Sequence, residues 1–212
     1  MSTSTATYRA RRTSRATVRR RRLAGVVMLL GLGAVAVGAA GIAGFGPLGD
    51  AVREITLPLR HEDVIRQQAA DKGVDAALIA AVIYEESKFR DQTSSAGARG
   101  LMQITPQTAQ YIADKSGGTA FEQGDLATPQ INIAYGAWYL DYLKQKYEER
   151  DLAAVAAYNA GEGRVDEWIA AAGGLDSFAE ADIPFPETRE YVDGVLDHRA
   201  DYRKHYDDEL GY

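Results

Sequence analysis

Residues 75–86 read DAALIAAVIYEE. Asp75 is a plausible N-cap, because its side chain can accept from a backbone N–H of the first turn. The helix it opens is apolar on every face from residue 76 to 84, so it belongs inside a domain and not on its surface. It then runs straight into Glu85-Glu86. A buried carboxylate is expensive unless paired, and burial raises its pKa by disfavouring the charged form. Adjacent glutamates most often mark the point where a helix emerges into water. The alternative is a general acid held protonated near neutral pH. Glu86 sits over Ile79, Val82 and Ile83, and Glu85 over Leu78, Ala81 and Val82. Both overlook apolar surface, so periodicity does not choose between them.

Outward from this helix the punctuation remains helical. Thr105-Pro106 and Thr128-Pro129 each place a capping hydroxyl before a proline at the first helical position, where proline costs least. Ile131, Ala134, Tyr135, Trp138, Tyr142 and Leu143 then fall at helical spacing and read as one apolar stripe. Asp151 can cap LAAVAAYNA, closed by Gly161, and a short helix carrying Val165, Trp168 and Ile169 should end at Gly173-Gly174. Pro184 and Pro186 hold IPFP extended before a last helix from about Glu187, with Tyr191, Val195, Arg199, Tyr202 and Tyr206 on one side. No internal repeat and no sustained strand-like alternation follows residue 60. The expectation is one mainly α domain over residues 60–206, with an acidic tail at 207–212.

The first part of the 212-residue chain differs in kind. Eight arginines and no acid occupy residues 1–22, and residues 23–46 carry no charge at all. A helix of that length reaches roughly 36 Å against a hydrocarbon core of about 30 Å. The basic lead should stay cytoplasmic and the rest of the chain lie outside. The expectation is a transmembrane signal anchor at 23–46, with cleavage after a small-residue site such as Ala34-Val35-Ala36 as the alternative. Residues 47–59 read as a linker that reaches at most about 50 Å, which keeps an anchored domain near the membrane. Beyond residue 46 only 16 basic residues face 30 acidic ones, a poor balance for gripping nucleic acid. Cysteine is absent, which excludes disulfide scaffolds, thiolate metal sites and a cysteine nucleophile. His61, His198 and His205 have no metal-ligand spacing, and no metal or other cofactor is expected. Trp138, Trp168 and most of the 12 tyrosines ride on helical stripes and read as core.

The stretch after the two glutamates carries a resemblance. Glu86-Ser87-Lys88-Phe89, followed by residues 94–109 (SSAGARGLMQITPQTA), is similar to the signature of the soluble-type lytic transglycosylases. Three further blocks match in the family's order: residues 128–133 with Gly136 and Tyr139-Leu140, then Ala156-Ala157-Tyr158-Asn159-Ala160-Gly161, then residues 186–192 (PETREYV). The resemblance covers about residues 58–206 and implies a lysozyme-like helical fold that cleaves the glycan strands of peptidoglycan. Residue by residue it implies Glu86 as the catalytic acid, and Gly100, Met102 and Gln103 in the loop that shapes the sugar groove. It implies Ser95 beside the acid, Tyr158 and Asn159 as substrate contacts, and Glu187 and Tyr191 on the far wall. The segment from Glu86 to Gly100 is one residue shorter than the usual pattern, with Arg90-Asp91 where Asn-Pro is common. Ser94 and Ser95 trade places according to where that gap falls.

The chemistry implied by the resemblance uses one carboxyl twice. Glycosidases usually set two carboxylates across the scissile bond. Here Glu86 would protonate the oxygen between N-acetylmuramic acid and N-acetylglucosamine, then take the proton of the muramic C6 hydroxyl as it closes a 1,6-anhydro ring. A hydrolytic muramidase of the same fold and a catalytically weak glycan-binding module are the alternatives. Asp91, Asp125 and Asp141 stay open as candidates for a second carboxylate.

Overall fold

The computed structural model describes residues 47–117 and 121–212. The arginine-rich lead and the apolar run at 23–46 lie outside the described residues, among which no helix is long and apolar enough to cross a membrane. Helices α1 Pro47–Thr56, α2 Glu62–Lys72, α3 Ala76–Ser87, α4 Pro106–Ser116, α5 Pro129–Lys146, α6 Asp151–Ala160, α7 Glu162–Ala171, α8 Pro186–His205 and α9 Asp207–Leu210 follow in order. Short 3-10 helices stand at Gln123–Ala127 and Glu180–Asp182. The segment expected to be a linker therefore carries a ten-residue helix, α1, with Val52 and Ile55 exposed. Helix α1 falls in a separate unit from the compact body of Leu57–Tyr212.

Helix α3 is the centre of that body. Every residue from Ala76 to Ile83 is buried, as an all-round apolar helix requires. It packs most extensively against α8 and next against α2, while α5 packs on α2 and α6, and α6 on α8. Asp75 caps α3, its Oδ1 accepting from the Ala77 N–H at 3.0 Å. Lys88 and Phe89 then take left-handed backbone (φ 51° and 58°), which stops the helix directly after the two glutamates.

The C-terminal residues do not form a free tail. Leu210 is buried, the Tyr212 hydroxyl donates to Asp75 and accepts from the Ala77 N–H, and Arg199 and Arg203 from α8 pair with the same Asp75. Burial alone would raise the Asp75 pKa, but the Tyr212 hydroxyl and the two guanidiniums outweigh it and hold this carboxyl below the usual carboxylate range. An acidic run of DDEL reads as solvated from its charges; it docks because Leu210 and the terminal tyrosine have apolar and polar partners waiting.

Helix α5 corrects the sequence reading. Of the proposed stripe only Leu143 is buried; Ile131, Ala134, Tyr135, Trp138 and Tyr142 lie at its half-exposed flank. The core face is instead Asn132, Ile133, Gly136, Ala137, Tyr139, Leu140 and Leu143. Tyr135, Trp138 and Tyr142 mark the flank and not the core, because close approach here depends on small residues: a Cβ on Gly136 would stand 2.2 Å from the Met102 sulfur. The aromatics form their own ladder, Trp138 stacked on Tyr142 with ring centroids 5.7 Å apart and Tyr111 edge-on to Tyr142 at 5.8 Å.

The loop from residue 88 to 105 has no regular strand, only single bridges from Arg99 to Thr93 and Ile104. Its shape is set by Gly100 (φ 78°), whose missing side chain leaves room for the Asn132 amide and for the Leu126 carbonyl, 2.2 and 2.7 Å from where a Cβ would sit. Gly100→Ala combines left-handed strain with a backbone clash. Its expected cost is about 3 kcal/mol, read as a lower denaturation midpoint at unchanged slope.

Candidate active site

The end of α3 opens into a cleft of about 640 Å³. One wall is Glu86; the loop residues Ser94, Ala98 and Gln103 and the start of α4 make another, and the end of α6 with Arg164 and Glu187 closes the far side. The two glutamates, alike in sequence, separate at once. Glu85 turns toward α8, where its carboxylate lies 2.7 Å from His198 Nδ1 and 3.2 Å from Lys88 Nζ. Gly194 on α8 makes that turn possible, since a Cβ there would stand 2.9 Å from a Glu85 oxygen. Glu86 turns into the cleft and accepts from the Tyr191 hydroxyl at 2.8 Å.

The environment of Glu86 favours its protonated form. Burial is the largest cause and the Glu85 charge adds to it, while the Tyr191 hydrogen bond opposes both; the carboxyl is pushed up to about 7 from its ordinary 4.5. Burial and the nearby Glu86 charge push the phenols of Tyr158 and Tyr191 well up in turn, so both stay hydrogen-bond donors. A half-buried acid near neutrality can give a proton and take it back, which is what a single group serving as acid and then base needs.

The remaining walls are held by hydrogen bonds from beneath. Tyr158 donates to the Met102 carbonyl at 3.0 Å. Asn159 accepts from Thr188 Oγ1 at 2.8 Å, which ties the end of α6 to the start of α8 and leaves its NH2 available as a donor in the cleft. Gln103, in left-handed backbone (φ 46°), folds its side chain back to the carbonyls of Gly100 and Gln92 at 2.7 and 3.0 Å. Asn132 lies fully buried under this loop. Its Oδ1 accepts from the Met102 N–H at 2.8 Å, and its Nδ2 donates to the carbonyls of Arg99 and Leu126 at 2.9 and 3.1 Å.

Set against the residues named from sequence, Glu86, Gln103, Tyr158, Asn159 and Glu187 line the cleft, and Tyr191 reaches it through Glu86. Ser95 does not: it is exposed beyond the wall, and Ser94 is the serine in the lining, its Oγ accepting from the Ala98 N–H at 3.1 Å. Met102 is no groove side chain. It is wholly buried against Gly136, and only its carbonyl serves the site. Gly100 likewise acts from below. Asp125 is spent on capping the Glu122 N–H and Asp141 accepts from Gln145. Neither they nor Asp91 line the cleft, whose second carboxylate is the exposed Glu187. Sequence reasoning missed Tyr139, Arg164 and Asn132. A polar side chain in the buried register of α5 was the available signal for Asn132.

The sequence profile described as the Transglycosylase SLT domain matches residues 63–180. The soluble lytic murein transglycosylase of Escherichia coli K12 is 36% identical over 162 residues, 74% of this chain and 25% of that protein. A membrane-bound lytic murein transglycosylase F of Pseudomonas fluorescens is 36% identical over 115 residues, 51% of this chain and 22% of that protein. The crystal structure of the soluble lytic transglycosylase of Escherichia coli superposes with a TM-score of 0.69 at 33% identity, over 77% of this chain and 27% of that one. The chain thus spans about a quarter of the length of these relatives. A profile match across more than half of its residues, with one central acid-bearing helix and the cleft it opens onto, makes this chain a member of the transglycosylase SLT domain family.

Proposed function

We propose that this chain is a lytic transglycosylase of peptidoglycan, with Glu86 as general acid and then base. The observation that carries the reading is the Glu86 carboxyl itself, half-buried at the cleft, hydrogen-bonded to Tyr191 and raised to about 7. Glu86 gives its proton to the glycosidic oxygen as the bond to C1 of N-acetylmuramic acid breaks. The sugar's acetamido group supports the cationic C1. The Glu86 carboxylate then takes the C6 hydroxyl proton while that oxygen bonds to C1, so the acid is restored and no water is consumed. The relatives named as lytic murein transglycosylases support the substrate class. The apolar run at 23–46 supports a single-pass anchor with the domain facing the wall, and a relative carries membrane-bound in its name.

Mass spectrometry of fragments released from purified peptidoglycan by the detergent-solubilised full chain tests the chemistry. Muropeptides one water lighter than hydrolysis products are expected. Reducing ends would make the chain a muramidase, and Glu187 the carboxylate to examine as a water-activating base, since it is the second one in the cleft.

The Tyr191 bond has its own test. It favours the ionised form of Glu86, so Tyr191→Phe should raise the acid further. The alkaline limb of kcat/KM, expected near pH 7 for the native chain, then moves to higher pH while the maximum rate falls. A limb moving down would contradict the assignment.

A further inference from the structure

One basic side chain lines the cleft among the described residues: Arg164, on the first turn of α7. In a domain with such an excess of acids, a cation kept at the mouth of the cleft calls for a reason. Two contacts orient this exposed side chain. Nη1 donates to the Ala160 carbonyl at 3.0 Å, and the guanidinium carbon lies 5.8 Å from the Phe185 ring. Phe185 is itself 45% exposed and is braced edge-on by Trp168, ring centroids 5.4 Å apart. No carboxylate among the described residues is paired with Arg164, and the Ala160 bond uses one of its five donors. The exposed guanidinium is thus oriented at the cleft with donors left over.

We infer that Arg164, with Phe185 as an apolar wall, is a subsite for a carboxylate on the peptide stem of the glycan strand. The inference rests on the proposed peptidoglycan substrate. A guanidinium takes a carboxylate through two parallel N–H bonds, which a fixed, partly used fork is suited to supply. The Phe185 ring offers surface to the aliphatic part of the same substituent.

The test is a cycle of two changes on the full chain. Native glycan strands are compared with strands whose stem carboxyls have been converted to methylamides, using the native protein, Arg164→Gln and Arg164→Lys. Arg164→Gln is expected to lose about tenfold in kcat/KM on native strands. Amidation is expected to cost the native protein a similar factor, and to cost Arg164→Gln nothing more. Arg164→Lys should keep part of the preference. Independent, multiplying losses would overturn the subsite, as would a native protein indifferent to amidation. Amidase-stripped strands carry their carboxylate on the lactyl group instead, and full sensitivity to Arg164 there would overturn the stem assignment. Run as binding affinity in the Glu86→Gln background, the same cycle needs no turnover. Absence of catalysis by the native protein would therefore count against the proposed function alone, and the Arg164 contact would still be decided.

Discussion

Glu86→Gln is expected to abolish fragment release, by the ~100- to 10,000-fold that acid–base catalysis supplies, while the protein becomes more stable above neutral pH. Both effects have one cause. The carboxyl titrates near 4.5 when unfolded and about 7 when folded, so the folded state holds its proton more tightly between those values. Its contribution to stability is complete below pH 4.5 and is lost as pH rises through 7. Glutamine does not titrate and never incurs that loss. The variant should match the native protein at pH 4 and exceed it at pH 8 by about 2–3 kcal/mol, the equivalent of the raised pKa discounted for the partial exposure of the carboxyl. Thermal melts at the two pH values, beside the release assay, decide it. Equal melts at pH 8 would mean that Glu86 is hydrated and its acidity ordinary, and retained activity would remove it from the chemistry altogether.

Asn132→Ala should be the most damaging single change to the body. It leaves the Met102 N–H and the carbonyls of Arg99 and Leu126 without their side-chain partner, deep under the loop. Each such group costs about 1–3 kcal/mol, so a total near 4 kcal/mol is expected, a large part of the stability of a domain this size. The loss should not stop at stability. Met102 is the residue whose carbonyl holds Tyr158, so whatever remains folded should bind glycan more weakly. Chemical denaturation together with KM for released fragments measures the two parts. A variant that unfolds less easily than Gly100→Ala would show that water replaces the amide, and that the loop holds itself up.

How far this could be read beforehand depends on what each residue answers to. Helix α3 was legible because an all-apolar run has only one place to go, whatever packs on it. The choice between Glu85 and Glu86 was not, since it is made by groups over a hundred residues away on α8: Tyr191 opposite one, Gly194 and His198 opposite the other. The stripe on α5 misled for a related reason. Bulk is a fair guide to burial only until two backbones must approach closely, and then glycine marks the core. The resemblance supplied Gln103, Tyr158, Asn159 and Glu187. It could not distinguish a side chain in the groove from a backbone carbonyl beneath it, which is the difference at Met102. Ser94 and Ser95 were divided by a one-residue gap whose position only the folded loop decides.

Because α3 is enclosed on every side, the acid it carries stands on the least adjustable part of the molecule. A change that shifts that helix must also repack α8 and α2, the two helices it packs on most. The opposite side of the cleft is of another character: Asn159, Arg164 and Glu187 are exposed and stand at helix ends. Anyone wishing to redirect this cleft toward a different strand chemistry would do best to leave the helix of the proposed proton donor alone and vary the facing rim, where substitutions alter what is held and leave Glu86 where it stands.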